Sequence, residues 1–110
     1  MSMRFAVAGA LLDACVLGLV SHEPAYGYEL TQRAQAVIDI SESTLYPVLR
    51  RLQKEGLLTT FDQPFDGRNR RYYKITAAGT EKLAELVDAW KDYTTRIDTL
   101  LIGEGETAHD

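Results

Sequence analysis

Ser41-Glu42-Ser43-Thr44-Leu45-Tyr46-Pro47-Val48-Leu49-Arg50-Arg51-Leu52-Gln53-Lys54-Glu55-Gly56 carries its apolar residues at Leu45, Val48, Leu49 and Leu52. That spacing is one stripe of a helix. Gly56 follows the last turn, where a left-handed cap residue belongs, and Ser41 or Ser43 can cap the start. Leu45, Leu49 and Leu52 are therefore expected to bury. Glu42, Ser43, Tyr46, Arg50, Gln53 and Lys54 are expected to face solvent. Hydroxyls at the start of a short helix, with cations further along, suit a major groove: the leading residues meet base edges and the cations meet phosphates. Pro47 constrains where this helix begins, because proline lacks the donor N–H and clashes with the preceding turn. A start near Ser43 or Thr44 keeps Pro47 in the first turn.

Upstream, residues 25–34 read as a second helix ending near Ala36, with Leu30, Ala34 and Val37 toward the core. Ser21-His22-Glu23-Pro24 is a turn before it, and Ile38-Asp39-Ile40 after it is a linker or a very short strand. Two short helices in this order read as helix-turn-helix. Residues 1–20 superficially resemble a secretion signal, but Asp13 interrupts the apolar run and no small-residue cleavage site follows. The stretch is also too short and too interrupted to span a membrane. It reads better as a first helix over about residues 6–20, with Leu11, Leu12, Cys15, Val16 and Leu19 inward. Its apolar surround suits burial on more than one side, for which a partner subunit is a reasonable source.

Downstream of Gly56 the period becomes strand-like. Residues 57–61 form a strand candidate, residues 62–69, with Pro64, Asp66 and Gly67, a turn, and residues 70–75 the returning strand. Tyr72 and Tyr73 alternate across that strand, one inward and one outward. A helix-turn-helix followed by a hairpin is a winged helix. The hairpin tip carries Arg68, Asn69 and Arg70, whose long side chains suit a minor groove or the adjoining backbone; the alternative is an edge hairpin protected by charge. Thr76 caps the last helix. Along it Leu83, Leu86, Trp90, Tyr93, Ile97 and Leu100 recur at alternating steps of three and four, a heptad seam. Running to about Ile102, that helix outreaches a body of this size, so its stripe calls for a second copy.

The fold class is thus mainly α with a small β-hairpin. Residues 1–75 form the winged helix-turn-helix with its N-terminal helix, residues 76–102 a dimerisation helix, and residues 103–110 a disordered tail. A chain of 110 residues, 45% hydrophobic, holds one small globular domain with a core. The single cysteine, Cys15, excludes an internal disulfide and a four-cysteine metal site, and is expected to be a buried thiol. Net charge is −4, but residues 41–75 carry seven basic and four acidic side chains, a net of +3, and the remainder −7. A basic surface on an acidic body is a nucleic-acid footprint that the whole-chain charge conceals, although solvated faces give the same count.

Tyr26-Gly27-Tyr28-Glu29-Leu30, the run from Thr44 to Leu52, Glu55-Gly56-Leu57-Leu58, the run from Arg68 to Thr76, and Gly79 together resemble the PadR family of bacterial transcription regulators. The similarity covers nearly the whole chain in order. The single C-terminal helix is similar to the short subfamily, which includes regulators that bind planar drugs between two subunits. The resemblance implies a homodimer on a palindromic double-stranded DNA operator, usually a repressor released by a small molecule. Ser43, Thr44, Tyr46 and Pro47 match the DNA-facing start of the family's recognition helix, with Arg50 further along. Tyr28 matches a phosphate-contacting tyrosine, and Arg68, Arg70 and Arg71 match the basic wing, on which Asn69 is a further DNA-contact candidate. Trp90 falls where drug-binding members place a tryptophan facing its mate, with Val87 and Tyr93 beside it; the alternative is an aromatic that only packs the interface. Leu11, Leu83, Leu86, Trp90, Ile97 and Leu100 are the dimerisation candidates. Two indoles near a two-fold axis can stack or part to admit a planar aromatic ligand, with Asp88 and Asp92 as countercharge. Tyr26 reads as a packing residue.

Other classes fare worse. His22 lies in a turn and His109 in the tail, and no acid–base or nucleophile constellation forms around either, so no enzyme is expected. A winged helix serving only as a protein–protein adaptor would carry a neutral or acidic recognition helix, which Arg50, Arg51 and Lys54 contradict. One cysteine and two separated histidines argue against a metal sensor. No cofactor, metal or membrane partner is expected, and the location is expected to be cytoplasmic.

Overall fold

The computed structural model describes residues 7–103. Its elements run α1 (Gly9–Leu19), β1 (Ala25–Tyr26), α2 (Gly27–Gln35), α3 (Glu42–Lys54), β2 (Leu58–Phe65), β3 (Arg68–Ile75) and α4 (Ala77–Leu101). The three strands form one antiparallel sheet in the order β1-β3-β2. This is a winged helix-turn-helix with a long C-terminal helix.

The core lies where α1, α2 and α3 converge on the root of the sheet. Leu45, Leu49 and Leu52 of α3 are fully buried against Val16 and Leu17 of α1, Leu30 of α2, and Leu58 and Tyr73 of the sheet. The helical stripe read in α3 is thus the inward face. Its end is a Schellman cap: Gly56 takes φ +82°, Leu57 N–H donates to the Leu52 carbonyl (2.9 Å), and Gly56 N–H donates to Gln53 (3.0 Å). Ser41 caps the start, its hydroxyl accepting from Thr44 N–H at 3.3 Å.

Several expectations need correction. α3 begins at Glu42, so Pro47 stands in its second turn rather than its first. Proline there withholds the donor that the Ser43 carbonyl would otherwise receive; Pro47 is exposed, so the loss falls on the solvent side. Residues 25 and 26 are not helical. They pair with Tyr73 and Tyr72 as a third strand, and α2 starts only at Gly27. Val37 lies past the end of α2 and is 75% exposed. In α1 the buried residues are Leu12, Val16 and Leu17, while Leu11, Cys15 and Leu19 are half-buried. A helix apolar on nearly every side has no periodicity from which to choose its inner face. Cys15 is correspondingly not a fully buried thiol, though partial burial still pushes its pKa up.

The hairpin is longer and tighter than expected. Its strands extend to Phe65 and from Arg68, closed by Asp66 (φ +57°) and Gly67 (φ +77°). Two consecutive positive φ angles make a type I′ turn, for which Asp-Gly is a preferred pair. Pro64 belongs to β2 because β2 is an edge strand, where a missing N–H is tolerated. Arg68, Asn69 and Arg70 are therefore strand residues, and the tip itself is Asp66-Gly67.

α4 is locked to the wing root at its start. The Thr76 hydroxyl accepts from Gly79 N–H (2.9 Å) and donates to the Gly56 carbonyl (2.7 Å). The helix then leaves the body. Its 25 residues span roughly 37 Å at 1.5 Å each, and the radius of gyration is 16.6 Å against about 13 Å for a compact chain of about 100 residues. Gly103 is the last described residue, so the tail expected over residues 103–110 lies almost wholly outside the described residues.

Candidate nucleic-acid interface

The face of α3 opposite its leucines presents Glu42, Ser43, Thr44, Pro47 and Arg50 to solvent, with Gln53 and Lys54 beyond. Ser41, Ser43 and Thr44 form a hydroxyl cluster at the helix start, Ser41 Oγ lying 3.0 Å from Ser43 Oγ and 3.1 Å from Thr44 Oγ1. These hydroxyls sit where α3 also offers unsatisfied backbone N–H groups, a setting that favours anionic oxygens. Tyr46 is half-buried. Its ring lies across the start of α2, 3.0 Å from where a Cβ on Gly27 would stand, so that glycine gives the tyrosine its room. Tyr28, one residue on, is exposed, and its hydroxyl accepts from Gln32 Nε2 at 2.9 Å.

The cations divide into free and committed groups. Arg51 reaches back to Asp13 of α1 and also contacts Glu55 at 3.4 Å; the Asp13 hydrogen bond holds its guanidinium still more firmly protonated. Arg51 therefore ties α3 to α1 and does not add to the outer charge. Arg71 is exposed, with Asp62 at 3.7 Å. Arg50, Lys54, Arg68 and Lys74 belong to no ion pair among the described residues. Arg70 is half-buried, its guanidinium carbon 3.6 Å from the Phe65 ring centroid and 4.2 Å from that of Tyr26. The structure thus brings together the starts of α2 and α3 and sets the wing beside them.

Residues 16–85 match the PadR-like transcriptional regulator family. The chain belongs to this family. PadR-like proteins are transcription regulators rather than enzymes. The chain is 36% identical over 97 residues to the uncharacterised protein X of Lysinibacillus sphaericus, covering 84% of this chain and 89% of that protein. The crystal structure of smu.1704 from Streptococcus mutans UA159 superposes with a TM-score of 0.85 at 38% identity, over 92% of this chain and 95% of that one. Bacillus subtilis PadR in complex with operator DNA superposes with a TM-score of 0.67 at 22% identity, over 73% of this chain and 48% of that one. That identity speaks to the shared fold alone.

In this PadR-like chain α1 and α4 pack together. Leu83 and Leu86 are half-buried against the chain's own core, so the first part of the seam is satisfied within the protomer. Beyond it Trp90 is 44% exposed, Tyr93 57% and Leu100 80%, with Val87, Leu101 and Ile102 also open; Ile97 is half-buried. Leu11, Ala14, Leu86 and Trp90 line two adjoining apolar grooves of about 530 and 480 Å³, one bounded by Tyr93 and the other by Val87 and Cys15. Asp92 is engaged by Arg96 Nε at 3.0 Å, whereas Asp88 is exposed. No helix among the described residues is long and apolar enough to cross a membrane.

Sequence reasoning missed the aromatic face of the wing. Tyr26, Phe61, Phe65 and Tyr72 gather around Arg70 on the side of the sheet away from the core. The signal was present as alternation: Phe61, Gln63 and Phe65 share one face of β2, and Arg70 and Tyr72 share the matching face of β3. Reading Pro64 as part of a turn hid it.

Proposed function

We propose that this chain is a homodimeric, sequence-specific repressor that binds a palindromic DNA operator and is released by a planar aromatic ligand. The observation that carries the DNA reading is the outer face of α3: hydroxyls of Ser43 and Thr44 at the helix start, then Pro47 and unpaired Arg50, all exposed. In this reading α3 enters the major groove, Ser43, Thr44 and Tyr46 meet base edges or nearby backbone, and Arg50 meets phosphate. Tyr28 donates its hydroxyl to a phosphate beside them, and Arg68, Asn69 and Arg71 bring the wing to the flanking backbone. Bacillus subtilis PadR, which shares the fold, has been solved with operator DNA.

The dimer reading rests on the exposed end of α4. Trp90, Tyr93, Leu100, Leu101 and Ile102 form an apolar strip on a helix that outruns its own body, and such strips are covered in stable proteins. Leu11 of α1 and Ile97 of α4 complete the contact, while Leu83 and Leu86 support this face from the chain's own core. A ligand seated beside Trp90, between Val87 and Tyr93, would stack on the indole and displace packing at the interface. Loss of operator affinity then follows from its preference for one dimer geometry over another.

The test is a fluorescence-anisotropy titration of DNA from the region beside the protein's own gene, at two salt concentrations, followed by footprinting. The expected result is protection of two half-sites about 10 bp apart, centre to centre. Arg50→Ala should weaken binding to every sequence and flatten the salt slope by about 0.9. Ser43→Ala should cost more on operator than on random DNA. Equal binding to operator and random DNA by the wild type would overturn the sequence-specific reading.

A further inference from the structure

Arg70 was counted above among the cations of the wing, yet its surroundings are unlike those of Arg68 and Arg71. Its guanidinium lies over two rings, with the guanidinium carbon 3.6 Å from the Phe65 centroid and 4.2 Å from that of Tyr26. The strand register explains the geometry. Arg70 stands opposite Gln63 on the central strand β3; Phe65 lies two residues further along β2 on the same face, and Tyr26 pairs with Tyr72 from β1 on the other side. Arg70 thus bridges all three strands diagonally. Tyr72 extends the cluster, edge-on to Tyr26 (5.6 Å, 65°) and stacked on Phe61 (5.3 Å, 8°).

We infer that Arg70 is a positioning residue that clamps the wing to the start of α2, and not a phosphate contact. A guanidinium in contact with two aromatic faces must give up both to reach a phosphate. Phe65 is the last residue of β2, next to the Asp66-Gly67 turn, so holding it fixes the hairpin tip. Tyr26 is the N-cap residue of α2, and the Gly27 that follows packs against the Tyr46 ring of α3. The path from wing tip to recognition helix is therefore Phe65, Arg70, Tyr26, Gly27 and Tyr46. The clamp sets the angle between the two elements that straddle the groove. The affinity part of this inference rests on the DNA-binding reading above.

The experiment compares wild type, Arg70→Gln, Phe65→Leu and the double variant, in operator titrations across salt and in hydrogen exchange of the DNA-free protein. A clamp predicts a loss of roughly 5- to 30-fold in operator affinity for each single variant. It predicts little further loss in the double variant, and salt slopes equal to that of wild type. It also predicts faster exchange at the wing amides around residues 65–68 in Arg70→Gln without DNA. A slope lower by about 0.9 in Arg70→Gln, with Phe65→Leu binding like wild type, would make Arg70 a phosphate contact and overturn the inference. Unchanged wing exchange would overturn it independently. A wild type that binds no DNA would refute the DNA reading, and the exchange result would then decide the clamp alone.

Discussion

Gly79→Ala separates local helix propensity from packing, because the two predict opposite signs. Gly79 is the third residue of α4 and is buried against the wing root. Replacing a helical glycine by alanine gains up to about 1 kcal/mol from propensity. A Cβ at Gly79, however, would stand 2.1 Å from the Leu57 carbonyl oxygen and 2.7 Å from Ile75 Cγ1. The nearer of these is backbone, so Leu57 or the first turn of α4 must move by more than an ångström. That carbonyl accepts from Thr76 N–H at 3.1 Å, and the same turn holds Thr76 Oγ1 on Gly56 at 2.7 Å. Overpacking costs about 1–3 kcal/mol, and each strained hydrogen bond about 1 kcal/mol. After the propensity gain the net loss is roughly 2–4 kcal/mol, which lowers Tm by roughly 10 °C or more in a domain of this size. The assay is urea and thermal unfolding followed by circular dichroism, at one fixed protein concentration because the proposed dimer would contribute to apparent stability. A Gly79→Ala protein as stable as wild type, or more so, would refute the reasoning and show that α4 is not tightly seated on the wing root.

Three further outcomes are expected. Leu86→Glu combined with Ile97→Glu should give monomers or unfolded chain in sedimentation, where wild type at micromolar concentration sediments as a dimer; a monomeric wild type would contradict the interface. A planar aromatic ligand should quench the single tryptophan, Trp90, saturably and lower operator affinity; Trp90→Ala with an intact dimer and an unchanged ligand response would place the site elsewhere. Burial raises the Cys15 pKa, so its alkylation at pH 8–9 should lag behind that of a free thiol and catch up in denaturant. The same shift contributes stability below the ordinary thiol range that is lost as pH rises through the folded-state value, an effect Cys15→Ala should remove.

What the sequence made legible follows from how strongly each segment's pattern points one way. α3 was readable to within a residue or two because its leucines follow one stripe and Gly56 supplies a definite stop. The α4 helix was readable for the same reason, with Leu83 and Leu86 packing within the protomer. The inner face of α1 was not legible, since apolar residues on nearly every side leave burial to be decided by tertiary contacts with α3 and α4. β1 was missed because two residues carry no period, and Ala25-Tyr26 becomes a strand only when β3 is there to pair with it. The wing's length is hidden by Pro64, which suggests a turn earlier than the Asp66-Gly67 pair that makes it. On an edge strand the proline's missing donor costs nothing to the ladder, and the turn belongs to the pair that adopts positive φ.

The fold distributes the charge of residues 41–75 unevenly over the surface. Residues 41–75 are net positive by three, and that excess suggested a phosphate-facing surface. The structure partitions it by geometry. Asp13, outside the counted segment, takes Arg51 and places that charge between α1 and α3. Tyr26 and Phe65, which carry no charge, take Arg70. Among the described residues of this segment, the cations in no ion pair are Arg50 and Lys54 on α3 and Arg68 and Lys74 on the wing, with Arg71 lying 3.7 Å from Asp62. In the proposed complex no part of the wild-type salt slope should come from Arg51. Removing Arg51 should act through the α1–α3 tie, reducing stability and leaving the slope where it was.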